Sequence, residues 1–354
     1  MSDLKFFAHY PFSDLAKEYV KQQQFQLDEQ SILLGTERLR QALEDGKLKL
    51  LSSSMESDMK SYLVAYACSR AILSCWDNTY ARARSAVCES KSAREYLNSH
   101  SDQQAGYDTI LAESLGLNFL NEGQYSKIAF YQYLNHCPLD IKYKLTNMEL
   151  SDGFVKVSQA QRTRIIEEAI RRKLEVATPK IKLQNPYIAK AISQLSVFLP
   201  KEKIAPSSIS REDFAPCINK MILDLQSSQN VSHSGRLSLA IYLIRAGLSD
   251  AQIASVFEKA PDYNKDTTAY QINYIRNKEY SMPSCKTMQV YGLCVADCNC
   301  GSPLNFKSRF HSKQQPKSQL STSKSQVVDP SSAQDSSQKD TVDSSKSQTE
   351  EKVQ

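Results

Sequence analysis

Four of the nine cysteines lie close together near the end of the chain, at Cys285, Cys294, Cys298 and Cys300. Clustered thiolates bind zinc or iron-sulfur centres in reducing compartments, whereas disulfides predominate in secreted proteins. The N-terminal sequence has no charged leader followed by an apolar core, so we expect an intracellular protein. The cluster therefore predicts a metal centre.

The spacing of these cysteines disfavours a zinc site but does not identify the metal. Eight, three and one residues separate successive members of the cluster, whereas structural zinc sites usually contain Cys-x-x-Cys pairs. Histidines are few, so a mixed site would need His233 or a more distant partner. We expect the other cysteines of the first half to be apolar packing residues: Cys68, Cys75, Cys88 and Cys137.

Helical periodicity dominates the first two hundred residues. Apolar residues between Glu56 and Trp76 recur at three- and four-residue steps, which is typical of an amphipathic helix. A short strand is predicted at 154–157, and a capping box formed by Ser158 and Gln161 begins the next helix.

That helix carries four arginines on its polar face. We interpret them as a solvated surface, with contact to a nucleic acid or an acidic partner as the alternative. They are Arg162, Arg164, Arg171 and Arg172.

Three further helices are expected before the cysteine cluster. The first runs from Pro216 to Leu225, the second ends at a C-cap formed by Gly247, and Ser249 caps the third. The chain has only ten glycines, which argues against a turn-rich β fold, and no segment approaches a membrane span of eighteen apolar residues. A formal charge of +5 is compatible with nucleic-acid binding but does not establish it.

Three segments around the cysteines resemble the iron-sulfur domain of the DNA primase large subunit of archaea and eukaryotes, with most similarity to archaeal members. They are Pro283-Ser284-Cys285-Lys286-Thr287-Met288, Tyr291-Gly292-Leu293-Cys294 and Cys300-Gly301-Ser302-Pro303-Leu304. The resemblance implies a [4Fe-4S] cluster held by Cys217, Cys285, Cys294 and Cys300. Cys298 stays an alternative to Cys300, but the spacing to Pro303-Leu304 favours Cys300.

The segment from Ser232 to Leu237 resembles the family's histidine-glycine-arginine helix start. The resemblance implies that His233, Arg236 and Arg245 contact phosphates of the template and of the primer's 5′ end. Arginine forks and helix N-termini are suited to binding phosphate. The alternative is that Arg236 pairs with a surface acid such as Asp250.

Weaker resemblances cover the N-terminal half, at Tyr10-Pro11-Phe12, Tyr80-Ala81-Arg82-Ala83-Arg84, Lys144-Leu145-Thr146-Asn147 and Gly153-Phe154-Val155-Lys156-Val157. The fold expected is mainly α. It has a helical domain with a small α/β element at 1–203, which docks a catalytic small subunit, and an all-helical iron-sulfur domain at 204–310. A disordered tail rich in Ser, Lys and Gln is expected at 311–354.

The function implied is that of the non-catalytic regulatory subunit of a heterodimeric primase, acting in DNA replication in the cytoplasm or nucleoid of an archaeal-type cell. It would bind single-stranded template and an RNA or DNA primer, and no membrane. The chain contains no Asp-x-Asp pair of the kind that holds two magnesium ions in polymerases. A ferredoxin-like electron carrier is a poorer fit, and an iron-sulfur DNA-repair or other nucleic-acid-processing enzyme is the alternative.

Overall fold

Helices make up most of the first half of the chain, as the apolar periodicity predicts. The computed structural model describes residues 3–23, 25–99, 102, 106–176, 185–200 and 214–306. The helices of the first half are α1 (Leu4–His9), α2 (Asp14–Gln23), α3 (Glu29–Arg40), α4 (Glu56–Trp76), α5 (Thr79–Leu97), α6 (Tyr107–Ser114), α7 (Phe130–His136), α8 (Gln159–Glu175) and α9 (Pro186–Leu195). The helix predicted at 56–76 is confirmed.

A small antiparallel sheet lies between α6 and α8. Its strands are β1 (Phe119–Glu122), β2 (Tyr125–Ala129), β3 (Leu150–Ser151) and β4 (Phe154–Ser158), in the order β1-β2-β4-β3. Val155 and Val157 of β4 are buried against α8, which begins with the predicted capping box of Ser158 and Gln161. The strand at 154–157 is therefore confirmed, as is the small α/β element.

Two apolar cores stabilise the first half. One surrounds α1, the sheet, α5 and α8, and the other joins α3, α4 and α9. Gly35 of α3 lies against Cys68 of α4, where an added Cβ would be 2.6 Å from the Cys68 Cβ. The burial of Cys68 and Cys88 agrees with their predicted role in packing.

The prediction that the arginines of α8 form a solvated surface is wrong. Arg162 and Arg171 are only 3% and 9% exposed. Arg162 contacts Asp108 at 3.1 Å, and both Arg171 and Arg172 bind Glu168. The helix is enclosed by its neighbours, so its polar face needs these ion pairs to compensate buried charge.

The second half of the described chain contains helices and no strand. These are α10 (Pro216–Gln226), α11 (His233–Arg245), α12 (Asp250–Phe257), α13 (Lys265–Asn277) and α14 (Cys285–Val290). They share a third apolar core. The predicted caps are confirmed, since Ser249 forms a capping box with Gln252 and Gly247 adopts a φ of 84° just after α11.

The predicted boundaries at 203/204 and 310/311 fall outside the described residues, as does the predicted tail at 311–354. Within the described part of the chain, no helix combines the length and apolarity needed to cross a bilayer.

Candidate functional site: a cysteine cluster beside a basic helix start

Short, capped elements place the five C-terminal cysteines. Cys217 lies in the first turn of α10, directly after Pro216, and is buried. Cys285 begins α14, where Ser284 caps the helix by accepting a hydrogen bond from the Thr287 backbone amide. The Cys285 backbone amide also donates to the Gly301 carbonyl at 2.9 Å, which ties α14 to the last cysteines.

The sulfurs themselves approach one another. The Sγ atom of Cys300 lies 3.5 Å from that of Cys285 and 3.2 Å from that of Cys298. Burial, together with the nearby Cys294 and Cys298 thiols, raises the pKa of the Cys217 thiol to about 11. Cys217 is buried in the same apolar core as Met288 of α14, and Leu293 packs against that core, so the α10 thiol shares a core with the neighbours of Cys285 and Cys294.

No group of three or more Cys, His, Asp or Glu side chains arranged around a single metal ion occurs in the described ranges. A tetrahedral zinc site needs four donors around one point. An iron-sulfur cluster instead takes cysteine thiolates from separate parts of the chain around a larger core. The free thiols of α10 and of the segment from Cys285 onward are donors of the kind that such a cluster takes.

The start of α11 packs against this cysteine region. Ser232 caps the helix through the Gly235 backbone amide at 3.1 Å. A Cβ at Gly235 would lie 2.7 Å from Val231 Cγ1 and 3.1 Å from Leu293 Cδ2. Glycine is favoured here, because a Cβ would overlap Val231 and press against Leu293, the neighbour of Cys294.

Arg236 pairs with Asp262, and not with Asp250 as the alternative in the sequence analysis had it. Its guanidinium donates to Asp262 at 2.8 Å, to the Asn230 side chain at 2.6 Å and to the Val231 carbonyl at 2.9 Å. Asp250 instead pairs with Arg276. Burial would raise the pKa of Asp262, but the charge and hydrogen bond of Arg236 outweigh it and lower that pKa.

A groove of about 270 Å³ opens between α11 and α13 beside this pair. Its lining includes His233, Arg236, Asp262 and Gln271. His233 is exposed at the first position of α11. Arg236 has five N–H groups and uses three of them within the described residues, which leaves two there for a ligand.

Arg245 does not join this groove. It lies at the other end of α11, twelve residues from His233, which is ~18 Å along a helix axis. Its guanidinium donates to the carbonyls of Glu279 and Tyr280. The structure therefore brings His233 and Arg236 together but separates Arg245 from them.

An exposed strip of tyrosines on and after α13 was not predicted as a site. The rings of Tyr270 and Tyr274 stack with centroids 6.2 Å apart, and Tyr280 follows at 6.3 Å from Tyr274. Lys278 lies 6.0 Å from the Tyr274 ring. Exposed aromatic faces beside cations are suited to stacking with unpaired bases. The i, i+4 spacing of Tyr270 and Tyr274 is the sequence pattern that could have indicated this strip.

Comparison with known proteins finds one family description and several relatives of the same name. Residues 207–339 match the family described as the C-terminal domain of the large subunit of eukaryotic and archaeal DNA primase. A protein named DNA primase large subunit from Methanosarcina mazei is 28% identical over 313 residues, covering 81% of this chain and 82% of that protein. Relatives of the same name from Methanocella arvoryzae and Methanococcoides burtonii are each 29% identical, over 82% and 87% of this chain and 83% and 92% of their own lengths.

The chain is thus similar to DNA primase large subunits over most of its length. These relatives are archaeal, which confirms the resemblance to the archaeal type that the cysteine segments indicated.

Proposed function

We propose that this protein is the non-catalytic regulatory subunit of a heterodimeric DNA primase, working inside the cell in DNA replication. The observation that carries the proposal is its similarity to proteins named primase large subunits over about four fifths of both chains. A catalytic small subunit would then supply the paired carboxylates that hold magnesium during nucleotide transfer. The chain would act in the cytoplasm or nucleoid.

The groove between α11 and α13 is the proposed place for the template and the primer's 5′ end. His233 at the helix start and the two remaining N–H groups of Arg236 would donate to phosphate oxygens. The Tyr270–Tyr274 stack would hold neighbouring bases on the exposed side of α13. The assignment of Arg245 to phosphate binding stays a prediction, since it lies at the far end of α11.

We also propose that Cys217, Cys285, Cys294 and Cys300 hold a [4Fe-4S] cluster. When bound, such a cluster supplies a rigid inorganic cross-link and a centre that can accept or release one electron. The chain's own part is to bring a thiol from α10 to those that follow α13 and to pack apolar residues around them. Buried Met288 and half-buried Leu293 belong to that packing.

The alternative is an iron-sulfur DNA-repair or other nucleic-acid-processing enzyme. Such an enzyme needs catalytic side chains of its own. The deeply buried carboxylates Glu89 and Glu168 are both paired with arginines, and Asp102 accepts hydrogen bonds from Tyr10 and His9. These pairings give the three carboxylates a structural role, which favours the regulatory subunit.

The test combines the full chain with a small catalytic primase subunit from a related archaeon. We expect the two to co-purify and the chain to increase the yield of initiated primers, while the chain alone synthesises none. His233→Ala should lower initiation on template without lowering co-purification. Nuclease, glycosylase or polymerase activity from the isolated chain, or failure to bind any small subunit, would contradict the proposal.

A further inference from the structure

Arg82 is a buried cation that has no partner among the described residues. It lies on α5, and its side chain is only 9% exposed. Its backbone amide donates to the Asn78 carbonyl within the helix, but its guanidinium makes no hydrogen bond, ion pair or cation-π contact with the described residues. A buried charge without a counter-charge costs stability. The guanidinium nitrogens of Arg82 keep some access to solvent, so an anion from outside the chain can reach and pair with them.

Two other buried arginines are satisfied internally. Arg38 binds Glu89 through two hydrogen bonds of 2.7 and 2.8 Å. Arg84, two residues from Arg82, donates to the carbonyls of Ala42, Pro261 and Tyr263. Arg82 differs from both in its surroundings, since it faces a cleft.

That cleft has a volume of about 470 Å³ and is lined mainly by polar residues. One wall is formed by Arg82, Arg171 and Arg172, and the other by the loop from Ser227 to Asn230. The charges of Arg171 and Arg172 are balanced by Glu168 and Glu175. The charge of Arg82 is therefore in excess, while hydroxyl and amide groups opposite it can donate further hydrogen bonds.

We propose that Arg82 binds a phosphate group of a nucleic-acid strand in this cleft. A guanidinium matches phosphate in geometry and binds it with two parallel hydrogen bonds. The Ser228 hydroxyl and the Gln229 amide of the facing loop can donate as well, whereas the Ser227 hydroxyl already donates to the Leu223 carbonyl. The choice of a nucleic-acid strand over free phosphate rests on the proposed function, whereas the unpaired guanidinium in the cleft does not.

The experiment measures binding of a fluorescein-labelled single-stranded DNA to the full chain by anisotropy, across a range of salt concentrations. Arg82→Met should weaken binding about tenfold and reduce the slope of log affinity against log salt by ~0.7, the loss of one phosphate contact. Arg82→Lys keeps the charge, so the slope should persist with weaker affinity. The matched control is Arg40→Met, which removes an exposed, paired arginine and should leave the slope unchanged.

Thermal unfolding of the same variants separates binding from packing. Arg82→Met should leave the midpoint unchanged, because the guanidinium that it removes has no partner among the described residues and methionine keeps an apolar stem of similar length. An unchanged salt slope together with a lower midpoint would overturn the proposal by making Arg82 a structural residue. Stabilisation of wild type but not Arg82→Met by inorganic phosphate, with DNA affinity intact, would overturn the choice of a nucleic-acid strand. A wild-type chain that binds no DNA would contradict the proposed function instead, and leave the phosphate test to decide the site.

Discussion

Arg236 and Asp262 form an ion pair at the start of α11, half-hidden between α11 and the residues before α13. Arg236 lowers the pKa of Asp262, so this carboxylate stabilises the folded state above its unfolded pKa near the ordinary value of 3.8. That stabilisation is lost as pH falls through the lower, folded pKa.

We therefore expect Asp262→Asn to reduce the free energy of unfolding by about 1–3 kcal/mol at neutral pH, as for loss of a charged hydrogen-bond partner. The difference from wild type should shrink as the pH falls below about 4. Denaturant titrations at several pH values measure both. Asp250→Asn, in the exposed pair with Arg276, is the control and should cost less than about 1 kcal/mol. A difference that is constant with pH would contradict this role of the ion pair.

Cys298 and Cys300 are close enough for either to act as the fourth ligand, but of the described thiols Cys300 alone contacts Cys285 as well as Cys298. We expect Cys300→Ser to lose most of the bound iron and Cys298→Ser to keep it, because Cys300 lies between the other two thiols. Iron analysis and visible absorption of the two purified variants make the comparison. Loss of iron in Cys298→Ser alone would reverse the assignment.

At the scale of single residues, the sequence indicated which side chains are candidates for a site. It did not indicate the partners of those side chains. The pairing of Arg236 with Asp262 joins residues that are 26 positions apart. The burial of Arg162 depends on Asp108 from another helix. Neither contact leaves a local pattern, because each is created only when distant elements pack.

Among the elements, α3 and α4 pack most closely where Gly35 faces Cys68. Gly35→Ala should lower the free energy of unfolding by about 1–3 kcal/mol, because the new methyl group overlaps the Cys68 side chain and the Ser69 backbone. Thermal or denaturant unfolding measures the loss. Leu33→Ala, at an exposed position of the same helix, should change stability by less than about 0.5 kcal/mol. A Gly35→Ala variant as stable as wild type would show that α3 can move away from α4.

Among the features of the helices, their ends were the ones that the sequence predicted most directly. The capping boxes at Ser158 and Ser249 and the glycine after α11 are local signals, since a few adjacent residues satisfy the free backbone groups. The strands β1 and β2 were not predicted. Short strands acquire their stability from pairing, here between β2 and β4, which are separated by α7 and a long connection.

On the scale of the whole molecule, Arg84 connects the two halves of the described chain through the Ala42, Pro261 and Tyr263 carbonyls. We expect Arg84→Gln to speed amide hydrogen exchange around 260–264, because the helix that carries it no longer holds that segment. Mass spectrometry of exchanged peptides measures the effect. Arg276→Gln, whose hydrogen bonds stay within the second half, is the control. Equal exchange in Arg84→Gln and wild type would mean that other contacts hold the halves together.

The resemblance to DNA primase large subunits could be recognised from the sequence because the cysteine segments are long and specific, and the comparisons agree. The cleft around Arg82 could not be inferred from the sequence. It is made by helices α5 and α8 and by a loop far beyond them in the chain, and an unpaired arginine has the same sequence signature as a paired one.

The account depends most on the convergence of thiols from α10 and from the end of the described chain around one inorganic core. Its most direct test is metal analysis of the full chain purified without oxygen. We expect a brown protein with about four iron atoms per chain, which Cys217→Ser and Cys285→Ser each bleach. A colourless wild-type protein that contains a single zinc ion, or no metal, would contradict it.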